Sequence, residues 1–550
     1  MKTYSNPVYA YERSPDQDRP AQRRPVIVVG AGPVGLAAAI DLALHDVPVV
    51  VLDDDNTVSV GSRAICYAKR ALEILDRLGC GERIVQKGVE WKVGRTFFRD
   101  ELVYAFDLLP ESGHHRPAFV NLQQYHLEQI LVEQLAELPA GEIRWQSKVV
   151  GVTPRGEDVL VRVDTPDGEY ALACEWLIVC DGSRSPVRAM LGLEAEGQVF
   201  RDRFLIVDVH MKSEFPAERW FWFDPPFHPG QSALLHRQAD DVWRIDFQLG
   251  WDADPEVERK PERILPRLRA MLGEKAEFDI EWASVYTFQC RRMQRFRHGR
   301  VVFAGDAAHV VSPFGARGAN SGFQDADNLV WKLRLVMGGR APERLLDSYD
   351  DERTAAADEN ILHSTRATDF ITPKSPVSRT FRNAVLALAK RHPFARKLVN
   401  SGRLSLPHVY QDSGLNTPDR PGETFAGTMV PGAPAADAPV AGAGSPWLLD
   451  YLCNGFTLVT FGDAVPTEVA HALAREPIPC RVVQVGGRLV DGRIAVRDKG
   501  GLLGDRYDGR PGTCYLLRPD QHVCARWRSF DADLVRAAIR RATCNDGNAR

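Results

Sequence analysis

The chain of 550 residues lacks several features that would place it outside the ordinary globular proteins. Its ten cysteines (66, 80, 174, 180, 290, 453, 480, 514, 524 and 544) form no CxxC pair and sit mostly in apolar surroundings. That spacing speaks against a bound metal or a redox dithiol, and for reduced, buried thiols. No window approaches the 18 or more apolar residues of a spanning helix, and the opening MKTYSNPVYAYERSPDQDRPAQRRP has no apolar core of a secretory signal. A cytoplasmic protein with no membrane partner is expected. Excess charge is missing as well: 69 Lys and Arg oppose 73 Asp and Glu, a formal net charge of -4, which leaves no footprint for nucleic acid. There is no internal repeat. With 44% hydrophobic and 26% charged residues the composition is globular, and because one core stops growing at roughly 250 to 300 residues, two or three domains are expected.

What is present begins at Pro25. Residues 1 to 24 are polar and aperiodic and read either as an N-terminal arm draping Tyr9 and Tyr11 over the folded body or as a disordered tail. VIVVGAGPVGLAAAIDLALHDVPVVVLDDD then reads as strand, tight glycine turn, helix and second strand, one βαβ unit. Its Gly30-x-Gly32-x-x-Gly35 motif, with Pro33 and Val34 inside it and Asp53 ending the second strand, has the parts a dinucleotide needs. Gly30 makes the turn, Gly32 admits a pyrophosphate, Gly35 lets helix pack on strand, and Asp53 accepts from ribose hydroxyls. The motif does not separate NAD from FAD. LIVCDGSRSPVR supplies a second strand end with Asp181 and Gly182, and RVVFAGDAAHVVSPFGARGANSG a third with Gly305 and Asp306. Three such sites suit a long cofactor lying extended across one domain, and the small residues of the third suit something flat against the backbone. Residues 196 to 290 alternate like an antiparallel sheet and read as a middle, substrate domain inserted between two parts of a cofactor domain, 25 to 195 and 291 to 400. Residues 401 to 430 are rich in Pro, Gly and Ala and read as a linker. Residues 431 to 550 alternate short strands and helices.

GAGPVG, CDGSRSPVR and GDAAHVVSPFGARGANSGFQDADNLVWKL resemble, in order and spacing, the three fingerprints of the single-component FAD-dependent aromatic hydroxylases. PGAPAADAP, GFTLVTFGD and YLLRPDQHVCARW resemble the thioredoxin-like C-terminal domain of the phenol hydroxylase branch, here without CxxC, which leaves it packing or homodimer contact as a use. The resemblance implies an α/β fold with a Rossmann-like FAD-binding domain. It also implies FAD reduction by NADH or NADPH as a transient co-substrate, oxygen addition at flavin C4a, and hydroxylation of a phenolic or other electron-rich ring. For single residues it implies Asp53 on the adenosine ribose, Arg63 near the pyrophosphate, Gln124 on the flavin and Val149 at the adenine. Asp306 falls on the ribityl chain, Pro313 beside the face where oxygen reacts, and Gly318, Ala319 and Asn320 at the pyrimidine edge, with Arg317 standing where many relatives have another residue. Candidates for the group that activates the phenol are His236, Tyr286, Tyr67 and Arg291; His236 and Tyr286 are expected at the substrate, with Trp222 and Trp220 of RWFWF as a wall. His309 is expected in a structural hydrogen bond. A flavin dehydrogenase, oxidase or epoxidase on the same scaffold, or a flavin-binding protein without chemistry, stays open.

Overall fold

Strands covered on both faces read as unbroken apolar runs, and VIVV and VVVL are such runs. They lie in the strands Gln22–Val29 and Val49–Leu52, paired in parallel inside an eight-stranded sheet. In this computed structural model, which describes residues 4–547 apart from Ser62, 400–403, 443, 453–454, 463–464 and 488–493, Cys453 lies outside the described residues. Across the sheet the order is Arg297–His298, Val301–Phe303, Gly168–Val179, Gln22–Val29, Val49–Leu52 and Gly141–Arg144, with Val159–Thr165 and Lys148–Pro154 following antiparallel from Gly168–Val179. The helix Pro33–Ala43 buries Leu36 to Ile40 completely. Four parallel strands thus deliver Gly30, Asp53, Asp181 and Gly305 to their carboxyl ends, the side on which open α/β sheets take ligands.

A second eight-stranded sheet runs His309–Val310, Asp279–Met293, Ala195–His210, Val242–Leu249, Ser232–Arg237, Arg219–Phe223, Val93–Phe98 and Glu101–Asp107. The expected middle domain is therefore larger than 196 to 290: residues 93 to 107 and 309 to 310 extend its sheet at both edges. The sequence has no local sign of this, because pairing between Val93–Phe98 and Arg219–Phe223 closes over more than a hundred residues. Of the two readings of the N-terminal arm, the packed one describes residues 4 to 24: Tyr9 stacks on Trp145 at 4.4 Å and Tyr4 on Tyr125 at 4.1 Å. Its Asp16, buried, accepts from Arg24 (2.5 Å) and Arg144 (2.7 Å). No described helix is long and apolar enough to cross a membrane.

The described residues form two compact units; the first holds both sheets above, and the second comprises residues 111–116, 324–356 and 407–550. Residues 324 to 356 pack in the compact unit that holds the C-terminal residues. One expectation is corrected: 407 to 430 are not a free linker, since Tyr410, Leu415 and Met429 are buried. The second unit has a six-stranded sheet in which Phe456–Phe461 and Cys480–Val485 pair in parallel around the helix Thr467–Ala474, and the hairpin Cys514–Leu517 with Val523–Trp527 pairs antiparallel. Beneath its helical layer lies a fully buried ionic cluster. Glu352 accepts from Arg518 (2.6 and 3.1 Å), Lys332 (2.8 Å), Asn328 (2.7 Å) and Ser413 (2.6 Å). Arg518 also binds Asp520, and Arg353 spans Asp325 (2.6 Å) and the Tyr410 hydroxyl (2.8 Å). The cations hold the Glu352 carboxyl well below the usual range against its burial, while burial pushes Lys332 down to about 8.

Candidate active site

The glycine motif separates into the jobs its spacing predicts. Gly30 has φ +103°, and a Cβ there would stand 2.5 Å from the Cys180 carbonyl oxygen, so only glycine lets the first turn lie against the second motif. A Cβ on Gly35 would stand 2.0 Å from the Gly30 carbonyl oxygen; the helix sits directly on the turn. At Gly32 a Cβ would meet nothing within 4 Å, because that position faces open space. Asp53 is held by donation from the Ala31 N–H (2.5 Å) and the Asp55 N–H (2.9 Å), and burial pushes its carboxyl up to about 6.

The open space is a cavity of about 740 Å³ within the first unit, lined by all three motifs and by one face of the second sheet. Gly30, Gly32, Pro33, Val34, Asp53, Arg63, Gln124, Val149, Asp181, Asp306, Pro313, Gly318, Ala319 and Asn320 all line it, as do His236 and Tyr286. Gln124 is oriented from both ends, accepting from the Ala64 N–H (2.9 Å) and donating to Glu128 (2.7 Å). Asn320 accepts from the Ala68 N–H (2.8 Å) and donates to the Cys66 carbonyl (2.9 Å), which ties the 64–68 loop to the first turn of the helix Gly318–Met337. That turn directs backbone N–H groups and the positive end of the helix dipole at the cavity. Asp181 accepts from the Val187 N–H (3.0 Å), yet its other carboxylate oxygen is buried with no partner. An open Gly32, an orphaned Asp181 oxygen and two helix starts on one elongated cavity fit a dinucleotide of FAD's length.

Other expected residues fall elsewhere. Gly35 and Gly305 are structural: a Cβ on Gly305 would press on the Val34 side chain at 3.0 Å, and one on Gly322 at 2.4 Å. Two glycines of the third motif are therefore small to seat Val34, not to admit a flat ligand. Trp222 is a correction: it lies outside the cavity, stacked on Phe97 at 5.2 Å and packed with Trp220 in the sheet's far core. Alternation along RWFWF puts Trp220 and Trp222 on one face as expected, but it is Arg219 on the other face that lines the cavity. Tyr67 is completely buried with its hydroxyl donating to Ala64 (3.3 Å), Arg291 donates to the Ala195 carbonyl, and His309 is buried against Phe296; none of the three reaches the cavity.

The sequence reading missed the charged groups of the substrate half. Strands Ser232–Arg237, Val242–Leu249, Ala195–His210 and Asp279–Met293 pair so that Leu234, Asp246, Ile206 and Ser284 form one row. His236, Arg244, Asp208 and Trp282 form the next. Arg244 donates bidentately to Asp208 (2.8 Å twice), both buried. Arg219 is buried with no hydrogen bond or ion pair among the described residues, and burial lowers its pKa. Asp246 has one oxygen buried without a partner, and burial pushes it up to about 6 despite Arg244 and Arg219. His236, also with a partnerless ring nitrogen, is driven well below its usual value by burial and by the same two arginines, so it is neutral. The signal was there in VWRIDFQL, where Arg244 and Asp246 fall two apart within an otherwise apolar strand.

Comparison with known proteins agrees with this geometry. The FAD binding domain family matches residues 23–364. The chain is 34% identical over 420 residues to the 6-methylpretetramide 4-monooxygenase of Streptomyces rimosus, covering 73% of this chain and 72% of that protein. It is 27% identical to the 3-(3-hydroxy-phenyl)propionate/3-hydroxycinnamic acid hydroxylase of Mycobacterium sp. (strain JLS), covering 97% of this chain and 95% of that protein. Among solved structures, the p-nitrophenol 4-monooxygenase PnpA from Pseudomonas putida DLL-E4 is similar with TM-score 0.62 and 28% identity over 69% of this chain and 98% of PnpA. The flavin-dependent monooxygenase PieE shares the fold with TM-score 0.81 at 23% identity, covering 95% and 99%. A cavity whose one half is three glycine-rich turns and whose other half is a sheet face, in a chain with these relatives, belongs to the FAD-binding aromatic hydroxylase family: the protein is an FAD-dependent monooxygenase.

Proposed function

We propose that the protein hydroxylates a phenolic or similarly electron-rich aromatic compound, using NADH or NADPH as a transient co-substrate. The observation that carries this reading is that the cofactor turns, Pro313 and the face with Arg219, His236, Asp246 and Tyr286 line one shared cavity. Relatives named for a hydroxyphenyl propionate and for p-nitrophenol support the phenolic class. When bound, FAD supplies the two-electron redox and oxygen chemistry that side chains lack. In this reading the protein's own residues bind and orient. Asp53 accepts from the adenosine ribose, Gly32 lets backbone meet the pyrophosphate, and Asp306 meets the ribityl chain. The N–H groups of Gly318 to Asn320 meet the pyrimidine edge. Phe288, Phe314, Ile206 and Leu234, which also line the cavity, exclude water from the ring and its oxidant. The thioredoxin-like reading of the second unit, without CxxC, leaves it structural or a homodimer contact. Oxygen uptake by holoenzyme with NADH and a panel of phenols tests the whole: hydroxylated product equimolar with oxygen consumed is expected, and peroxide alone from every phenol overturns it.

A further inference from the structure

Buried charges in folded proteins are paired, because an unpaired ion in a low-dielectric site costs several kcal/mol. Among the described residues the substrate half of the cavity breaks that rule twice at neighbouring positions. Arg219 enters from the strand Arg219–Phe223 with no partner, and Asp246 enters from Val242–Leu249 with one carboxylate oxygen buried and bonded to nothing. Of the ionisable groups beside them, Asp208 and Arg244 satisfy each other, His236 lies in the row beside Asp246 between the two arginines, and burial pushes the Cys66 thiol up to about 11. Tyr286 is pushed up by burial and by Asp306, which makes it a poor proton acceptor. A site that leaves one acceptor and one cation open at the same place is complementary to a group that gives up a proton and then carries a negative charge.

We infer that Asp246 and Arg219 are the pair that activates the substrate: Asp246 accepts the phenolic proton and Arg219 takes the resulting phenolate oxygen. This rests on the reading of the substrate as a phenol. The step balances: the O–H bond of the phenol breaks, its proton moves to an Asp246 oxygen to give a carboxylic acid, and the electron pair stays on the phenolate oxygen beside the guanidinium. The ring gains electron density at the carbons ortho and para to that oxygen. His236 and Tyr286, which sequence reasoning favours, are then positioning residues. Asp246 also suits the task energetically, since an acceptor ionising near 6 is charged at neutral pH yet more basic than a free carboxylate.

The test uses flavin-loaded wild type, Asp246→Asn and Arg219→Met, with NADH and two phenols, 3-(3-hydroxyphenyl)propionate and its ring-trifluorinated analogue, which keeps one free ring position ortho to the hydroxyl and is assayed above its own pKa. With the ordinary phenol, Asp246→Asn is expected to lose about a hundredfold or more in kcat, the scale of general base catalysis, while flavin content stays as in wild type. With the acidic phenol, which arrives already ionised, most of that loss is expected to vanish; a merely structural residue gives no such rescue. Arg219→Met is expected to move the acid limb of the kcat/KM profile upward by about one pH unit with the ordinary phenol, because that limb reports the base of the free enzyme and Asp246 loses a cation that holds its pKa down. The inference is overturned if Asp246→Asn stays within about threefold of wild type with the ordinary phenol, or if the two phenols suffer equally. If wild type itself hydroxylates no phenol, the reading of the substrate class fails instead, which the same wild-type controls reveal.

Discussion

The buried charges around Glu352 in one compact unit and around Asp246 in the other are built on opposite principles. Around Glu352 every ion is answered: Arg518, Lys332, Asn328 and Ser413 converge on one carboxylate, and Asp520 takes the rest of the Arg518 fork. Around Asp246 the ions are left open, with Arg219 and one Asp246 oxygen facing a cavity. Satisfied burial makes structure, since removing any partner strands the others. Unsatisfied burial is tolerated only where something else completes it, and here that is the ligand.

The comparison is broken most severely at Glu352. Glu352→Ala leaves Arg518 and Lys332 buried without their shared acceptor, a change worth about 3 to 5 kcal/mol; the expected outcome is loss of the cooperative thermal transition of the second unit or recovery only as aggregate. Asp246→Asn is the opposite case, expected to leave the melting temperature equal or higher while kcat falls, because it removes an uncompensated charge. Acid sharpens the same contrast. The Glu352 pKa is lowered by folding, so its contribution is complete above the ordinary carboxylate range and is lost as pH falls through and below it. The Asp246 pKa is raised, so ionising it costs stability as pH rises from the ordinary range through about 6. Glu352→Gln should flatten the acid branch of a stability profile, and Asp246→Asn the branch leading to about 6.

The cofactor half offers two smaller tests. Gly32→Val, which finds open space, should leave the fold of the apoprotein unchanged and weaken FAD binding by at least about tenfold, roughly 1.4 kcal/mol; Gly30→Val should instead prevent soluble folding, because its Cβ meets the Cys180 backbone. Equilibrium dialysis of FAD against thermal melts separates the two. The smallest effect expected is in pH. FAD affinity should fall a fewfold as pH drops through about 6, where Asp53 takes up a proton and loses acceptor capacity, and Asp53→Asn should abolish that slope.

The cofactor half was legible because holding a pyrophosphate demands glycine at fixed intervals next to a strand end, and that demand is local. The substrate half was not. Alternation in RWFWF shows that Trp220 and Trp222 share a face, but which face meets the ligand depends on strands Val93–Phe98 and Ser232–Arg237 lying on either side. His236 and Tyr286 were found because they are polar on apolar strands; the same sign marks Arg219, Arg244 and Asp246, whose charge reads as surface until the sheet is assembled. The stretch 407–430 misled for a related reason, since proline and glycine report backbone geometry and not burial, and Tyr410, Ser413 and Asp419 hold it in the second unit through Arg353, Glu352 and Arg526.

Val34 stands between Gly305 and Gly322, joining the first and third motifs through one side chain. The three positions therefore form a single heritable unit. A homologue that enlarges residue 34 has no room left at 305 or 322, one that places alanine at 322 must shrink 34 in the same lineage, and a grafted loop that carries only one motif into another scaffold arrives without its counterpart. Libraries that vary these positions independently will be populated mostly by dead sequences, whereas libraries that vary them as a triple will not.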